Sequence, residues 1–353
     1  MVLIGVGGSP DAVAVHADRL WQAVLAGDEY RAIDTVLGAL AEGVEPEAIL
    51  LDVVGATQRR VGHEWSLNRI SVAQEHAATA INERAIAHLA TRLPRPEVTG
   101  AHVTVACVDG EWHALPARLL AEVLTLRGFR VDYLGAQVPT PHLITHLHRS
   151  SPDLVALSGS LPTRLPVAHA TISACQSAGV PVIVGGAAFG SHGRWAARLG
   201  AQAWAPTARA AADRLVEPLP RPPAAHEPID DLPHLLDQEY TMVTRGSAGL
   251  VRAVMAGLEE RIPAMRAYTD LQRQHTAEDV AHTVDFLGSA LYIDDAVLFL
   301  DYVTWTAQIL EARLVPARSL VPAMDLLSDR LRDFPRALGM LDRATALLEP
   351  AQR

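Results

Sequence analysis

Two histidines of this chain each follow a glutamate at close range, in Glu75-His76 and in Glu111-Trp112-His113. A neutral imidazole is a good metal ligand through one ring nitrogen. A carboxylate on the other nitrogen fixes the tautomer and raises the basicity. The second pair lies in Cys107-Val-Asp109-Gly-Glu111-Trp112-His113-Ala-Leu-Pro116, between an apolar run and a helix that begins near Pro116. His113 therefore stands on the loop leaving a strand, where Glu111 is within reach as its acceptor. Taken alone, an exposed loop histidine is the plain alternative. Upstream, Trp65 is separated from Glu75-His76 by SLNRISVAQ, nine residues. In isolation those three read as a core tryptophan and a solvated pair.

These residues need elements to position them. From about Asp11 to Leu93 the chain reads as helix only, with apolar residues at three- and four-residue intervals over 12–25, 30–40 and 46–61. Ser71 and Gln74 make a capping box, which predicts a fourth helix from just after Ser71 through His76 towards Leu89. Short loops between four helices imply a bundle over residues 1–95. From His102 to about Leu215 the runs VTVACV, VDYLG, LVALSGS, PVIVGG and AQAWAP are each followed by a helical stretch. That alternation predicts a flavodoxin-like, doubly wound sheet of five parallel strands over 100–217. Six prolines between Pro218 and Pro233 mark a linker over 218–234 in which neither helix nor strand should persist. Residues 235–353 are helical again, in five to seven helices, with Thr276 and Asp294 as expected N-caps and Pro316 near a helix start. The fold class is α/β plus all-α, with a globin-like packing as one option for the C-terminal domain.

Composition narrows the function. Hydrophobic residues make up 49% of the 353 and charged residues 20%, as in a globular protein. A net charge of −10 without a Lys/Arg-rich run argues against direct contact with nucleic acid. Cys107 and Cys175 cannot form a disulfide scaffold or a zinc spacing and read as reduced core residues. No apolar run approaches the ~20 residues that span a bilayer. The start MVLIGVGGSP lacks a positive n-region, so a cytoplasmic protein off the membrane is expected.

Two further loops sharpen the first motif. The third strand ends in Ser158-Gly-Ser160-Leu161 and the fourth in Gly185-Gly186. Small residues at both places leave a slot between strands, with hydroxyls to bond the edge of a flat group. Together with Glu111-x-His113 this set resembles the cobalamin-binding domain, whose pattern is Asp/Glu-x-His-x-x-Gly, Ser-x-Leu and Gly-Gly. The resemblance implies that the nucleotide tail of cobalamin leaves cobalt for this slot and that His113 replaces it as the lower axial ligand. Asp109, Glu111, Trp112, Ser158, Ser160, Leu161, Gly185 and Gly186 would then contact the cofactor. Pro116 stands where the family usually has glycine, which suits a first helical turn but changes the loop.

The cap with Trp65, nine residues and Glu75-His76 resembles that of the light-dependent cobalamin regulators. In that family the Trp and Glu shelter an adenosyl group, and light breaks the cobalt–carbon bond. By resemblance Trp65 and Glu75 belong to the adenosyl pocket, and His76 takes the upper position on cobalt after photolysis. The DNA-binding domain that precedes the cap in those regulators is missing from this sequence, so output is expected through an oligomer change or a signalling partner. Corrinoid methyl carriers share the cap and the sheet and give the enzyme-side alternative. They need open access to cobalt from above, which Trp65 and Glu75 would obstruct.

In the C-terminal segment Val280, Val284, Leu287 and Leu291 form one apolar stripe and His282, Phe286 and Ser289 a second. Leu298, Tyr302, Trp305 and Ile309 follow on the next helix. Helices apolar on more than one face are buried on more than one side. The plain reading is a packing domain with a Tyr and Trp core. The His282-x-x-x-Phe286 and Asp301-Tyr302-x-x-Trp305 segments also resemble photocobilins, which implies biliverdin beside adenosylcobalamin. His282, Asp301, Tyr302 and Trp305 would line its site, with Arg245, Arg252 or Arg266 for the propionates. The segment has no cysteine, so the bilin would be held non-covalently. A haem on His282 or His275 is an alternative. The expectation is a non-enzymatic, homo-oligomeric light sensor whose assembly depends on light. A cobalamin-dependent oligomerisation module with an inert helical tail is the third reading.

Overall fold

Apolar spacing and loop punctuation build the cap as read. In the computed structural model, which describes residues 10–93, 96–222 and 228–348 (the side chain of Ile229 excepted), α1 (Pro10–Leu25) and α2 (Glu29–Ala41) are joined through Gly27 at φ +69°. Asp28 caps α2 by accepting from Arg31 N at 3.0 Å. The third rod is longer than expected and is not uniform: a helical turn, Pro46–Ala48, passes into a π-helical stretch, Ile49–Val54, and then into α3 (Gly55–Ser66). Single π turns inside helices re-aim side chains and recur at functional sites. The predicted capping box is present, Ser71 and Gln74 bonding each other's backbone N–H, and it starts α4 (Val72–Ala90). Leu20, Val36, Ile49, Val54, Ile86 and Leu89 are fully or almost fully buried between these helices.

The sheet has the order β2-β1-β3-β4-β5, all parallel. Its strands are β1 (His102–Cys107), β2 (Arg130–Gly135), β3 (Leu154–Ser158), β4 (Val182–Gly185) and β5 (Ala203–Ala205). Every residue of β1 and β3 is buried, as central parallel strands require. Helices α5 (Ala114–Leu126), α6 (Thr140–Ser150), α7 (Leu165–Ser177) and α8 (Ala208–Arg214) follow β1, β2, β3 and β5. After β4 the expected helix does not form. Short 3-10 turns, Ala187–Phe189 and Ser191–Gly193, replace it, because Gly186, Gly190, His192 and Gly193 all take positive φ.

The chain divides into two compact units: residues 1–160 with 171–225, and residues 161–170 with 226–353. Cap and sheet thus share the first unit. Glu47 on the cap accepts a bidentate pair from Arg127 at 2.8 and 3.0 Å and a third bond from Arg209 at 2.9 Å. Arg209 also donates to Asp52 and Arg127 to Asp213, a clamp that holds the Glu47 carboxyl below its ordinary range, chiefly through Arg127.

In the second unit, α9 (Glu239–Arg261), α10 (Asp270–Ile293), α11 (Ala296–Ala312), α12 (Val321–Arg330) and α13 (Pro335–Leu348) form the helical domain. Two caps differ from expectation. Thr269, in a capping box with Gln272, starts α10, so Thr276 lies inside the helix, its hydroxyl bonded back to Gln272 O. Asp294 ends α10 in the left-handed region, and its neighbour Asp295 caps α11. The linker expectation also needs correction, since Pro228–Asp231 form a helical turn and Pro233–Asp237 a 3-10 turn, while residues 223–227 lie outside the described residues. The opening MVLIGVGGS lies outside them as well. Among the described residues no helix is long and apolar enough to cross a membrane.

Candidate functional site

The loop after β1 is organised by one carboxylate. Glu111 has no exposed surface, and its Oε1 accepts from the backbone N–H groups of Trp112 and His113, both at 3.0 Å, and lies 2.5 Å from His113 Nδ1. Its Oε2 accepts from Ser160 N at 2.7 Å, which ties the loop after β1 to the loop after β3. The acceptor predicted for His113 is therefore in place, and Nδ1 donates to it. Nε2 is left as the lone-pair nitrogen on a side chain 44% exposed. His113 is the N-cap residue of α5, so Pro116 falls in the first turn, where a missing N–H leaves no hydrogen bond unmade. The departure from the family pattern is absorbed there. Asp109 Oδ2 accepts from Thr140 N at 3.0 Å, tying the loop after β1 to the start of α6.

The predicted slot is present. It is a cleft of about 390 Å3 lined by Leu119 and Leu120 of α5, Ala156–Ser158 of β3, Ile183–Gly186 of β4, and Thr207 and Arg209 beside β5. Gly186 sits at φ +98°, and a Cβ there would lie 2.2 Å from Gly159 O. Ser158 is 6% exposed, and its hydroxyl bonds no described residue, leaving a buried polar edge for a ligand. A largely apolar cleft at the strand ends, with the Ser158 hydroxyl at its edge, fits an aromatic base such as the tail of cobalamin. Sequence reasoning missed Asp52 and Arg59, which the rod Pro46–Ser66 brings to the slot mouth. Only the tertiary placement of the π-helical stretch could reveal them. Leu161 belongs to the second unit.

A second cleft of about 390 Å3 is lined by Gln58, Glu75, His76, Thr79, Trp112, His113 and Ser160. Pro116 borders both clefts. His76 Nδ1 lies 2.5 Å from Glu75 Oε2, so this imidazole is oriented like His113, with Nε2 unengaged. The Trp112 ring stands edge-on to both, its centroid 5.3 Å from that of His113 and 6.5 Å from that of His76. Glu75, His76, Trp112 and His113 thus line one cleft. Trp65 lies in the last turn of α3, half-buried against the hydrophobic core and seven residues after Gln58. Cys107 lies under the loop, its thiol pushed up to about 12 by burial and then by Glu111.

In the second unit the four expected bilin contacts separate by burial. Tyr302 is 7% exposed, stacked on Phe286 at 4.1 Å with its hydroxyl 3.1 Å from Thr283 Oγ1. His282 and Asp301 are exposed, and Trp305 is 45% exposed. Val280, Val284, Leu287 and Leu291 are buried, so the first stripe is core as read.

A B12 binding domain family matches residues 101–216, and a second B12 binding domain family matches residues 16–90. The HTH-type transcriptional repressor CarH of Myxococcus xanthus is 31% identical over 197 residues, 53% of this chain and 64% of that protein. The HTH-type transcriptional repressor CarA of the same organism is 31% identical over 193 residues, 52% of this chain and 62% of that protein. The match therefore spans less than two thirds of either relative. Among solved structures, the Methanosarcina barkeri monomethylamine corrinoid protein has the same fold, with a TM-score of 0.50 and 21% identity over 57% of this chain and 97% of that one. Residues 16–90 and 101–216 are B12-binding domains, and the chain is a cobalamin-binding protein.

Proposed function

We propose that this chain is a photoreceptor that holds adenosylcobalamin between the cap and the sheet and signals without catalysing a reaction. One observation carries the reading: two imidazoles, each with Nδ1 tied to its own glutamate, line a single cleft from opposite elements. His113 would hold cobalt from below, with Glu111 fixing its tautomer, and the slot beneath Gly186 would take the nucleotide base. Adenosylcobalamin supplies a cobalt–carbon bond that visible light breaks. Above, Trp65 and Glu75 would shelter the adenosyl group. His76, on α4 in the same cleft, would be the second imidazole able to ligate the metal. Exchanging a bulky group for a ligand on α4 would move the cap and change an oligomer or a partner contact in the cytoplasm.

Purified protein loaded with adenosylcobalamin should change its visible spectrum permanently under green light, with no return in the dark. A spectrum untouched by light would refute the photoreceptor reading. The rival, a methyl carrier serving a methyltransferase, is supported by the fold shared with a corrinoid protein. Tighter binding of methylcobalamin than of adenosylcobalamin would favour it.

The reading extends to biliverdin in the second unit through His282, Asp301, Tyr302 and Trp305. Tyr302 is packed against Phe286 and Thr283, so a bilin would have to part that stack. Titration with biliverdin should give a red-shifted complex of one bilin per chain that Tyr302→Ala weakens. A spectrum equal to the sum of free pigment and protein would leave the helical unit as a packing domain.

A further inference from the structure

Neighbours on a helix do not face each other, yet Glu75 and His76 are adjacent on α4 and hold a 2.5 Å contact. His76 is mostly exposed, so packing does not impose that geometry. A string of side chains behind Glu75 does. Asn82 Nδ2 donates to Gln58 Oε1 at 2.8 Å, Gln58 Nε2 to Thr79 Oγ1 at 2.7 Å, and Thr79 Oγ1 to Glu75 Oε1 at 3.1 Å. Every bond donates towards the carboxylate. Glu75, Thr79 and Asn82 fall at i, i+4 and i+7, one stripe of α4, and Gln58 reaches across from α3.

Asn82 marks this string as more than incidental. It is fully buried among Ala78, Ile81, Ala85 and Ile86, where an apolar side chain would serve packing better, and its Oδ1 finds no partner. A buried amide left half-satisfied is destabilising and calls for another reason.

We propose that Gln58, Thr79 and Asn82 are positioning residues that lock Glu75 and so aim His76 Nε2 into the cleft it shares with His113. Thr79 engages one carboxylate oxygen, which leaves the other to accept from His76 Nδ1–H alone. Below the cleft, three backbone N–H groups hold Glu111 in the same manner. Above it, side chains take over that part for Glu75. That the aimed nitrogen meets a metal rests on the cobalamin reading, whereas the relay itself exists without cofactor.

The test uses the full chain, free of cofactor and labelled with 15N-histidine, at mildly alkaline pH. The ring nitrogen shifts of His76, assigned through His76→Gln, report which nitrogen carries the proton. The native protein should show the Nδ1–H form. Thr79→Val should lose that signal in favour of the Nε2–H form, and Thr79→Ser should restore it. Gln58→Leu, at a half-buried site, should act like Thr79→Val and replaces it should that variant fail to fold. A His76 ring indifferent to the loss of the Thr79 hydroxyl, or a Ser variant that behaves as Val does, overturns the relay. A failed light response would sink the photoreceptor reading and leave this tautomer result standing.

Discussion

Glu111→Leu should both unfold the loop after β1 and abolish cobalamin binding. Loss of the carboxylate strands the backbone N–H groups of Trp112, His113 and Ser160, along with His113 Nδ1–H. A buried donor left unpaired costs ~1–3 kcal/mol, and partial access of water to these groups brings the sum to about 3–5 kcal/mol. Urea denaturation should show that drop in the apoprotein. His113→Ala separates the two effects, because it leaves Glu111 with its three backbone donors. Its stability should stay within about 1 kcal/mol of the native protein. Its cobalamin affinity, by equilibrium dialysis, should fall by more than the roughly 10–100-fold that loss of a ligand's outer partner causes. A Glu111→Leu protein as stable as the native one would show that the carboxylate does not organise the loop. His113→Ala with undiminished affinity would remove the cobalt ligand on which the site is built.

What could be read in advance was local in sequence. Glu111 and His113 are two residues apart on one turn, and Ser71 and Gln74 close a box within one helical turn, so their bonds follow from spacing alone. The sheet order follows from buried strand runs and crossover rules, and the slot from small residues at strand ends. Long-range partners were not legible. Gln58 meets Thr79 and Asn82 across 21 and 24 residues, through the packing of two helices that share no motif. The nine residues between Trp65 and Glu75 do not by themselves bring the two together, because linear distance does not fix the direction of the last turn of α3. The missing helix after β4 was hidden for another reason: SHGRWAARLG reads as helical until its clustered positive-φ positions are known.

The π-helical stretch shows how such a misreading matters for the site. Ile49–Val54 carries the spacing of an ordinary helix, yet the wider turn brings Leu51 and Asp52 to the slot. Arg209 of α8 pairs with Asp52 and with Glu47, so slot wall and interhelical clamp are one structure. Cap position and slot geometry are therefore mechanically linked within the first unit. A cap displaced by events at His76 would be felt at the slot through these same residues.

Gly186→Ala is expected to do the most damage of any single-methyl change in the slot. Its backbone, φ +98° and ψ 169°, lies in a region essentially reserved for glycine, which adds ~1–3 kcal/mol of strain for any other residue. The new Cβ would also sit 2.2 Å from Gly159 O, a backbone atom that already accepts from Ala188 N at 3.0 Å and cannot swing aside like a side-chain tip. The segment Ser158–Ser160 must move, and with it the Ser160 N–H that Glu111 holds. The total should reach about 3–5 kcal/mol of stability, near the upper limit for point changes. Some 3 kcal/mol carried into binding is about a 100-fold weaker cobalamin complex. Gly185→Ala is the control: its φ is not in the positive region, and its Cβ would meet only Ala205 O at 3.1 Å. It should lose far less of both. Cobinamide, which lacks the nucleotide base, distinguishes the causes. If the slot holds that base, Gly186→Ala should weaken cobalamin far more than it weakens cobinamide. Equal losses for the two corrinoids would mean that the base binds elsewhere.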